Sequence, residues 1–379
     1  MNVNNIVDIL ILLNVTHCNS MKLIQRGNRM INHDSSFERA QYKPYFSIFH
    51  KNTGQFIRGN EPDSEDDVFW SEECPEMLDI SITGMCNREC DFCYRNSKPD
   101  GNHLPVGKLR FVLDQIKDNF ICQIALGGGN PPLHPEFPEI LRMIREDYGI
   151  VPNYTYNGCD LSDEGLDASE KYCGAVAVSW YDDEKRWFAE TTRLIIAGIK
   201  TNAHFVLSSK SIKYATRILN GELSVPDGLN AIVFLTHKPV GKGKESDCLV
   251  AGSEELRSFL NTFSNHKHGF KVGFDSCFAS AIVEQSEINP IYYDYCEAGR
   301  FSAFISEDLF FYPCSFAEQL GGINLEHTPL VEAWETGKQF VRFRSFLQTT
   351  QCDCDFQSNC RGGCPIDGRA FCTSPLKKR

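Results

Sequence analysis

The distribution of cysteines constrains this chain more than any other feature of its sequence. Seventeen of the 379 residues are cysteines, and eight of those lie at or beyond Cys277. Disulfide-rich chains are usually short and secreted, whereas this chain is long enough to bury a large core. Its first residues lack the basic segment and the cleavage site of a signal peptide. We therefore expect metal–thiolate sites in a reducing, cytoplasmic environment.

The net charge and the apolar runs of the chain indicate whether it binds nucleic acids or membranes. The formal net charge is −12, from 50 acidic and 38 basic residues. An acidic surface disfavours binding to a phosphate backbone, so we expect no nucleic-acid partner. The apolar run Ile6–Val15 is too short to span a bilayer. We interpret it as a buried strand or helix and expect no membrane partner.

The pattern of residues changes twice along the chain and predicts three regions. Residues 1–73 form an irregular N-terminal extension, in which Tyr45–His50 and Gln55–Arg58 predict a hairpin and Glu61–Asp67 predicts a loop. Residues 74–275 alternate between strand and helix patterns. Residues 276–379 are rich in cysteine and poor in apolar runs, so we expect a metal to organise this small C-terminal domain.

The middle region predicts an α/β fold. Its predicted strands are Leu78–Thr83, Ile121–Leu126, Val151–Tyr156, Ala175–Trp180, Ala203–Leu207 and Ala231–Leu235. Its predicted helices are Val106–Phe120, Phe137–Tyr148, Asp163–Tyr172, Glu184–Ala197 and Ile212–Leu219. Six such units fit an open doubly wound sheet or, as we expect, a partial (β/α)6 TIM-like barrel. In the tail, Phe304–Tyr312 predicts short strands and Leu330–Phe346 predicts one helix.

Three closely spaced cysteines follow the first predicted strand. Cys86, Cys90 and Cys93 are separated by three and then two residues, on a loop at the carboxyl end of the strand. Three thiolates can bind three irons of a four-iron cluster and leave the fourth iron open, as a catalytic metal requires. The alternatives are a zinc knuckle with a distant fourth ligand, or three buried free cysteines.

This CxxxCxxC motif, with Phe92 before its last cysteine, resembles the signature of the radical S-adenosylmethionine (SAM) superfamily. The resemblance implies that Cys86, Cys90 and Cys93 hold a [4Fe–4S] cluster whose open iron binds SAM, and that Phe92 packs near the adenine. It also implies the reaction: the cluster cleaves SAM to methionine and a 5′-deoxyadenosyl radical, which abstracts a hydrogen from a substrate.

A glycine-rich segment after the second strand strengthens this resemblance. The run from Gly127 to Pro135 is similar to the superfamily segment GGE-P-x-L-H-P, which implies that Gly128, Gly129 and Asn130 contact SAM. Asn130 stands where glutamate is usual, and an amide accepts a hydrogen bond without supplying the negative charge. Asn157 and Ser179 end later strands and are further candidate contacts. A plain Gly/Pro turn is the alternative interpretation.

The tail resembles the SPASM domain, an extension of many radical SAM enzymes that binds auxiliary clusters. The candidate ligands are Cys277, Cys296, Cys314, Cys352, Cys354, Cys360, Cys364 and Cys372. Three features depart from the SPASM pattern: one residue instead of two separates Cys352 from Cys354, Asp308-Leu309 replaces a usual glycine, and the gap from Cys296 to Cys314 is longer than usual. The eight candidate ligands predict two auxiliary [4Fe–4S] clusters. Because of the departures, one cluster and a structural zinc ribbon remain alternatives. We expect the remaining cysteines to be buried small side chains: Cys18, Cys74, Cys122, Cys159, Cys173 and Cys248.

The resemblance favours an enzyme that modifies a peptide or protein, a peptide maturase or a protein-oxidising enzyme. It would receive electrons from a donor such as flavodoxin or ferredoxin. Radical chemistry on a small molecule is the alternative within the same superfamily. A non-catalytic iron–sulfur or zinc-binding module is the alternative outside it. No single Asp or Glu stands out as a general base among the 50 acidic residues.

Overall fold

The computed structural model describes residues 24–26, 29–33, 37–41, 45–60, 68–181, 183–265, 269–285, 293–350, 352, 354–367 and 371. The predictions for Ile6–Val15, Glu61–Asp67, Cys18 and Cys372 fall outside these residues. The chain divides into two compact units, Met1–Phe69 and Trp70–Arg379. The expected domain boundaries after residues 73 and 275 remain predictions.

The N-terminal unit contains a five-stranded antiparallel sheet whose strands pair in sequence order. These strands are β1 (Ile24–Arg26), β2 (Arg29–His33), β3 (Phe37–Gln41), β4 (Tyr45–His50) and β5 (Phe56–Asn60). Alternate residues of β4, including Tyr45 and Phe49, are buried, as expected for a strand with one apolar face. The predicted hairpin is present, because β4 and β5 pair antiparallel around a turn in which Gly54 adopts φ +72°.

The second unit is built on a ten-stranded sheet. Its parallel strands are β6 (Met77–Thr83), β7 (Gln123–Gly128), β8 (Val151–Tyr156), β9 (Val176–Ser179), β10 (Thr201–Leu207), β11 (Ala231–Thr236) and β12 (Lys271–Phe274). These strands lie side by side in chain order. A doubly wound sheet reverses its strand order, whereas a barrel does not. The prediction of an α/β partial barrel is therefore confirmed, with β12 as a parallel strand that the sequence analysis missed.

Helices connect the strands and cover the outer face of the sheet. They are α1 (Val106–Ile116), α2 (Phe137–Arg142), which a π-helical turn extends to Asp147, α3 (Asp163–Tyr172), α4 (Glu184–Ile196), α5 (Ile212–Leu219), α6 (Glu254–Ser264) and α7 (Ala279–Gln285). Each strand turns one face towards this layer: Leu78, Ile80 and Ile82 of β6 are fully buried in the core cluster. The opposite face of each strand points towards the barrel interior.

The tail continues the same sheet instead of folding apart from it. Strand β13 (Ser302–Ile305) pairs parallel with the free edge of β6, and β14 (Phe310–Tyr312) and β15 (Ile323–Asn324) follow antiparallel. Leu309 turns the chain into β14 with φ +60°, a conformation that favours glycine. Leu309 is the second residue of the pair that replaces the usual glycine, and its buried side chain offsets the backbone strain.

The helix predicted over Leu330–Phe346 is wrong as a single element. The structure has α8 (Leu330–Thr336) and α9 (Lys338–Thr349), which are separated at Gly337. A Cβ at Gly337 would lie 2.3 Å from the Ala333 carbonyl oxygen and 2.4 Å from Ile323. The close packing of β15 against the end of α8 requires glycine here, and helical periodicity does not reveal it. A short helix, α10 (Gln357–Cys360), follows.

Within the described residues, every helix is too short or too polar to cross a bilayer. The fifteen described cysteines are all free of disulfide bonds. Cys74 and Cys122 are buried, as expected. Cys159, Cys173 and Cys248 are only partly buried, and Cys173 packs against the core.

Candidate active site

The three-cysteine loop leaves the carboxyl end of β6 and is anchored at both ends by backbone hydrogen bonds. The Cys86 N–H donates to the Lys98 carbonyl at 2.9 Å. At the other end, the Lys242 N–H donates to the Cys93 carbonyl at 2.9 Å. Lys242 belongs to the loop after β11, so the cysteine loop is held both within its own connection and by the loop after β11. Cys86, Cys90 and Cys93 are all partly exposed and therefore open to a bound group.

The three thiols interact with one another but do not converge on one point. Burial raises the pKa of Cys90, a hydrogen bond from Tyr181 opposes this shift, and Cys93 and Cys86 add to it. No three Cys, His, Asp or Glu side chains of the described residues are arranged to hold a single metal ion. Zinc needs its ligands around one ion, whereas the cysteines of an iron–sulfur cluster bind different irons. Three partly exposed thiols on one loop are a donor set that suits an iron–sulfur cluster.

The glycines at the end of β7 pack directly against the backbone that carries the cysteine loop. Gly128 has φ +107°, and the Gly129 N–H donates to the Thr83 carbonyl at 2.6 Å. A Cβ at Gly129 would lie 2.0 Å from the Met85 carbonyl oxygen, next to Cys86. A Cβ at Gly127 would meet nothing within 4 Å. Gly128 and Gly129, which lack side chains, therefore let the end of β7 pack closely against this stretch of backbone.

Asn130 is fully buried, and both ends of its amide have partners within the protein. Its Oδ1 accepts from the Asn157 N–H at 3.1 Å, and its Nδ2 donates to the Cys159 carbonyl at 3.1 Å. The amide thus joins the end of β7 to the turn after β8. A glutamate could not make the second of these bonds, because a carboxylate has no hydrogen to donate.

Asn157 connects that turn to the cysteine loop. Its Nδ2 lies 3.7 Å from Cys86 Sγ and donates to Asn87 Oδ1 at 2.8 Å, while its Oδ1 accepts from the Cys159 N–H at 3.0 Å. Hydrogen bonds to cysteine sulfur tune the reduction potential of an iron–sulfur cluster. Of the candidate SAM contacts, Asn157 is the one that the structure brings to a cysteine of the loop.

An aromatic group that the sequence analysis missed completes this side of the site. Tyr181 lies beyond β9, and its hydroxyl interacts with Ser179 and with the Cys90 thiol. Its ring stacks with Phe92 at a centroid separation of 6.0 Å, and the Arg88 guanidinium lies 4.2 Å above the ring. Phe92 and Ser179 thus meet through Tyr181. The sequence signal for Tyr181 was an aromatic residue two positions after Ser179, the serine that ends β9.

Four tail cysteines gather around one lysine. Lys238, in the loop after β11, is 3% exposed, and its Nζ lies 3.5 Å from Cys364 Sγ. Burial opposes its charge, but Cys277, Cys364 and Asp275 raise the pKa of Lys238 above its ordinary value. Cys314 also acts on Lys238, and burial raises the pKa of Cys296, which interacts with Cys364 and Cys314.

The thiols within this group influence each other. The hydrogen bond from Cys277 lowers the pKa of Cys364 below its ordinary value, and the ammonium of Lys238 acts in the same direction. Cys277, Cys296, Cys314 and Cys364 come from four separate segments, and we call them the lysine-centred cysteines. Four thiols around a buried cation suit a metal–thiolate group, which carries net negative charge.

The other described tail cysteines form a less buried group. Cys352, Cys354 and Cys360 are partly exposed, and Cys354 Sγ accepts from the Phe356 N–H at 3.5 Å. Cys360 ends α10. Cys372, the remaining candidate ligand, lies outside the described residues, so a second cluster stays a prediction.

The barrel interior holds polar side chains at mid-height. Asp79 of β6 is partly exposed to this interior, and burial raises its pKa to about 6. Across the interior, burial lowers the pKa of His204 to about 4, and its Nδ1 lies 3.2 Å from Thr155 Oγ1. Asp79 also interacts with Tyr94, the residue after Cys93, and with Cys314. The sequence offered no means of selecting Asp79 from the acidic residues, because its position depends on barrel closure.

Comparison with known proteins agrees with this geometry. Residues 80–181 match the model of the radical SAM superfamily. A probable GTP 3′,8-cyclase from Sulfurisphaera tokodaii is 27% identical over 187 residues, which cover 45% of this chain and 59% of that protein. A probable GTP 3′,8-cyclase from Saccharolobus islandicus is 26% identical over 251 residues, or 60% of this chain and 80% of that protein.

Two solved structures share the fold. SuiB from Streptococcus suis bound to the precursor peptide SuiA has a TM-score of 0.68 at 15% identity, covering 92% of this chain and 100% of that chain. The protein anSMEcpe with bound AdoMet and the Cp18Cys peptide has a TM-score of 0.56 at 16% identity, covering 80% of this chain and 92% of that chain. Likeness at such identities concerns the fold alone.

The partial barrel, the cysteine loop and the family match define the class of this protein. Residues 80–181 form a radical SAM domain. The cofactors of such a domain are a [4Fe–4S] cluster and SAM.

Proposed function

We propose that Cys86, Cys90 and Cys93 hold the SAM-binding cluster and that the enzyme modifies a peptide or protein. When bound, the cluster supplies the electron that cleaves SAM to methionine and the 5′-deoxyadenosyl radical that abstracts a substrate hydrogen. The observation that carries the cluster assignment is the arrangement of three partly exposed thiols on one loop after β6, which the loop after β11 also holds.

The residues around the loop take three roles in this proposal. Asn157 and Tyr181 donate hydrogen bonds to Cys86 and Cys90, respectively, and stabilise the thiolate form of each ligand. Phe92, stacked on Tyr181, offers an aromatic face for the adenine, and Ser179 offers a hydroxyl for the ribose or carboxylate. Gly128 and Gly129 hold the end of β7 against the loop, and their partly exposed backbone would contact SAM.

One observation that favours a peptide over a nucleotide concerns two buried cations near the site. Arg95, close to the cysteine loop, pairs with Glu307 at 2.5 Å and also with Glu318. The positive charge of Lys238 is balanced by the Asp275 carboxylate and by the lysine-centred cysteines. These two buried cations are therefore already neutralised, whereas a nucleoside triphosphate needs cations to balance its phosphates. A peptide has no such requirement.

A small-molecule reaction is the second candidate, because the curated relatives are named as probable GTP 3′,8-cyclases. We propose that the tail holds at least one auxiliary cluster at the lysine-centred cysteines and that a flavodoxin or ferredoxin supplies electrons in the cytoplasm. Cys352, Cys354, Cys360 and Cys372 would supply a second cluster.

The first experiment tests SAM cleavage. Anaerobically reconstituted and reduced protein is incubated with SAM, and 5′-deoxyadenosine is measured beside a variant in which Cys86, Cys90 and Cys93 are alanine. We expect product from the wild type only. Equal product from both proteins would refute the ligand assignment.

A second experiment separates the two substrate classes. GTP and short peptides encoded beside the gene are compared as additives in the same assay, with the mass of each additive followed over time. We expect a peptide to change mass and to raise 5′-deoxyadenosine formation, while GTP does neither. Conversion of GTP to a cyclised product would replace the peptide proposal with the small-molecule one.

A further inference from the structure

Lys238 is a buried cation in a part of the fold that otherwise holds thiols. Its side chain is 3% exposed, so water does not solvate the ammonium. A charged amine in such a place is stable only when anionic or hydrogen-bonding partners surround it. The nearest sulfur is Cys364 Sγ, 3.5 Å from Lys238 Nζ.

The other neighbours of Lys238 point to a negatively charged group beside it. The Asp275 carboxylate interacts with Lys238, but both of its oxygens accept hydrogen bonds from Thr236, from the N–H at 2.9 Å and from Oγ1 at 2.7 Å. The Phe316 ring, 5.4 Å away, supplies only a weak cation–π contact. The remaining neighbours are cysteines on separate segments, which become anionic when they bind iron.

We propose that Lys238 is the fixed counter-ion of an iron–sulfur cluster held by the lysine-centred cysteines, and that its charge raises the reduction potential of that cluster. This inference rests on the auxiliary cluster of the proposed function. Reduction adds a negative charge to the cluster, and a fixed positive charge in a low-dielectric site stabilises the reduced form more than the oxidised form. The hydrogen bond to Cys364 acts in the same direction.

The test is a redox titration followed by electron paramagnetic resonance. The parent is the full chain with Cys86, Cys90 and Cys93 replaced by alanine, so that the SAM-binding cluster does not contribute. Within this parent, Cys314→Ala identifies the signal that belongs to the lysine-centred cysteines. Lys238→Met removes the charge at similar volume, and Lys238→Arg keeps the charge. Lys244→Met, at an exposed lysine of the same loop, is the matched control.

We expect Lys238→Met to lower the midpoint potential of this cluster. The one-electron equilibrium should change at least about tenfold, which corresponds to about 59 mV. Lys238→Arg and Lys244→Met should stay near the parent value. Loss of iron from Lys238→Met, with retention in Lys238→Arg, would also support the role of the charge.

Two results would overturn the inference. One is an unchanged midpoint potential in Lys238→Met with full iron content. The other is loss of iron from both Lys238 variants, since that would make the shape of lysine the requirement and not its charge. A parent that binds no iron would refute the auxiliary cluster itself, and its iron and sulfide content distinguishes this from failure of the Lys238 inference alone.

Discussion

Asn130 and Asn157 carry two buried amides beside the cysteine loop. The contacts of Asn130 differ from those that its sequence position predicts. By position in the glycine-rich segment, Asn130 is expected to contact SAM. In the structure its amide oxygen and nitrogen are bonded to Asn157 and to the Cys159 carbonyl. Because Asn157 in turn reaches Cys86, Asn130 positions the cysteine loop through its neighbour. The SAM contact of Asn130 stays a prediction.

Replacing Asn130 by the glutamate of the superfamily segment is therefore expected to harm this protein. Asn130→Glu places a longer, charged group in a fully buried site and leaves the Cys159 carbonyl without its donor. We expect the free energy of unfolding to fall by roughly 2–4 kcal/mol. Urea unfolding followed by fluorescence measures this change.

The control for that substitution is Asn261→Glu, at an exposed position of α6, which should unfold like the wild type. If Asn130→Glu were as stable as the wild type and bound SAM more tightly, the side chain would face SAM, as the resemblance implies.

Asp79 makes the stability of the folded protein depend on pH, and its raised pKa sets the direction of that dependence. Burial raises its pKa from 3.8 to about 6 in the folded state. Between these values the folded state binds more protons than the unfolded state, so the contribution of Asp79 to stability falls as pH rises from about 4 to about 6. Because Asp79 is partly exposed, we expect Asp79→Asn to stabilise the protein by roughly 1–2 kcal/mol at pH 7. Urea unfolding at several pH values measures the slope.

His204 is the control, because its contribution to stability changes with pH in the opposite direction. Burial lowers its pKa from 6.5 to about 4, so its contribution to stability is lost as pH falls through that range. His204→Gln should therefore improve relative stability at low pH, whereas Asp79→Asn should improve it at neutral pH. Identical slopes for both variants and the wild type would contradict this account.

At the scale of elements, the site depends on how closely the end of β7 packs against the loop after β6. Gly128 and Gly129 allow this approach, and Gly127 of the same run takes no part in it. Leu309 and Gly337 illustrate the same dependence in the tail. A left-handed turn enters β14 at a leucine, and close packing against β15 divides one expected helix into two.

A pair of alanine substitutions tests the contact at β7. Gly129→Ala puts a Cβ 2.0 Å from the Met85 carbonyl oxygen, so either β7 or the cysteine loop must move. We expect a loss of stability of roughly 1–3 kcal/mol and a severalfold loss of iron from the SAM-binding cluster. Iron content and unfolding midpoints measure both effects.

Gly127→Ala is the matched control, because its Cβ meets no atom within 4 Å. It should retain iron and stability. Equal iron retention in the two variants would mean that the end of β7 does not position the cysteines.

At the scale of the whole molecule, the cysteine-rich tail shares its sheet and its core with the barrel. Strand β13 pairs with β6, the strand that leads to the cysteine loop. Trp334 of α8 donates to the Ser71 carbonyl at 2.7 Å, and the Leu330 N–H donates to Gln115 of α1 at 2.8 Å. Removal of the tail would therefore expose the edge of β6 and part of the core.

We accordingly expect a chain that ends at Asp275 to lose cooperative unfolding and to bind a dye for exposed apolar surface, such as ANS. A chain that begins at Trp70 keeps the whole second compact unit and should unfold cooperatively. Calorimetry of both chains distinguishes them. Cooperative unfolding of the shortened barrel at the wild-type temperature would show that the tail is an independent domain.

The sequence alone determined the features that depend on local pattern. Alternation of apolar residues predicted the strands around Ile80 and Tyr154, because burial of one strand face imposes a period of two. Spacing identified Cys86, Cys90 and Cys93, because one loop carries all three. The short β12, with a glycine and no fully buried residue, lacked this pattern and was missed.

Only the tertiary structure decided which distant residues meet. The lysine-centred cysteines come from positions 277 to 364, and no local pattern groups them around Lys238. Tyr181 reaches Cys90 because β9 and β6 belong to one curved sheet, and Asp79 is distinctive only because the barrel encloses it. Contacts between residues far apart in the chain depend on the packing of whole elements, whereas local sequence encodes only the elements themselves.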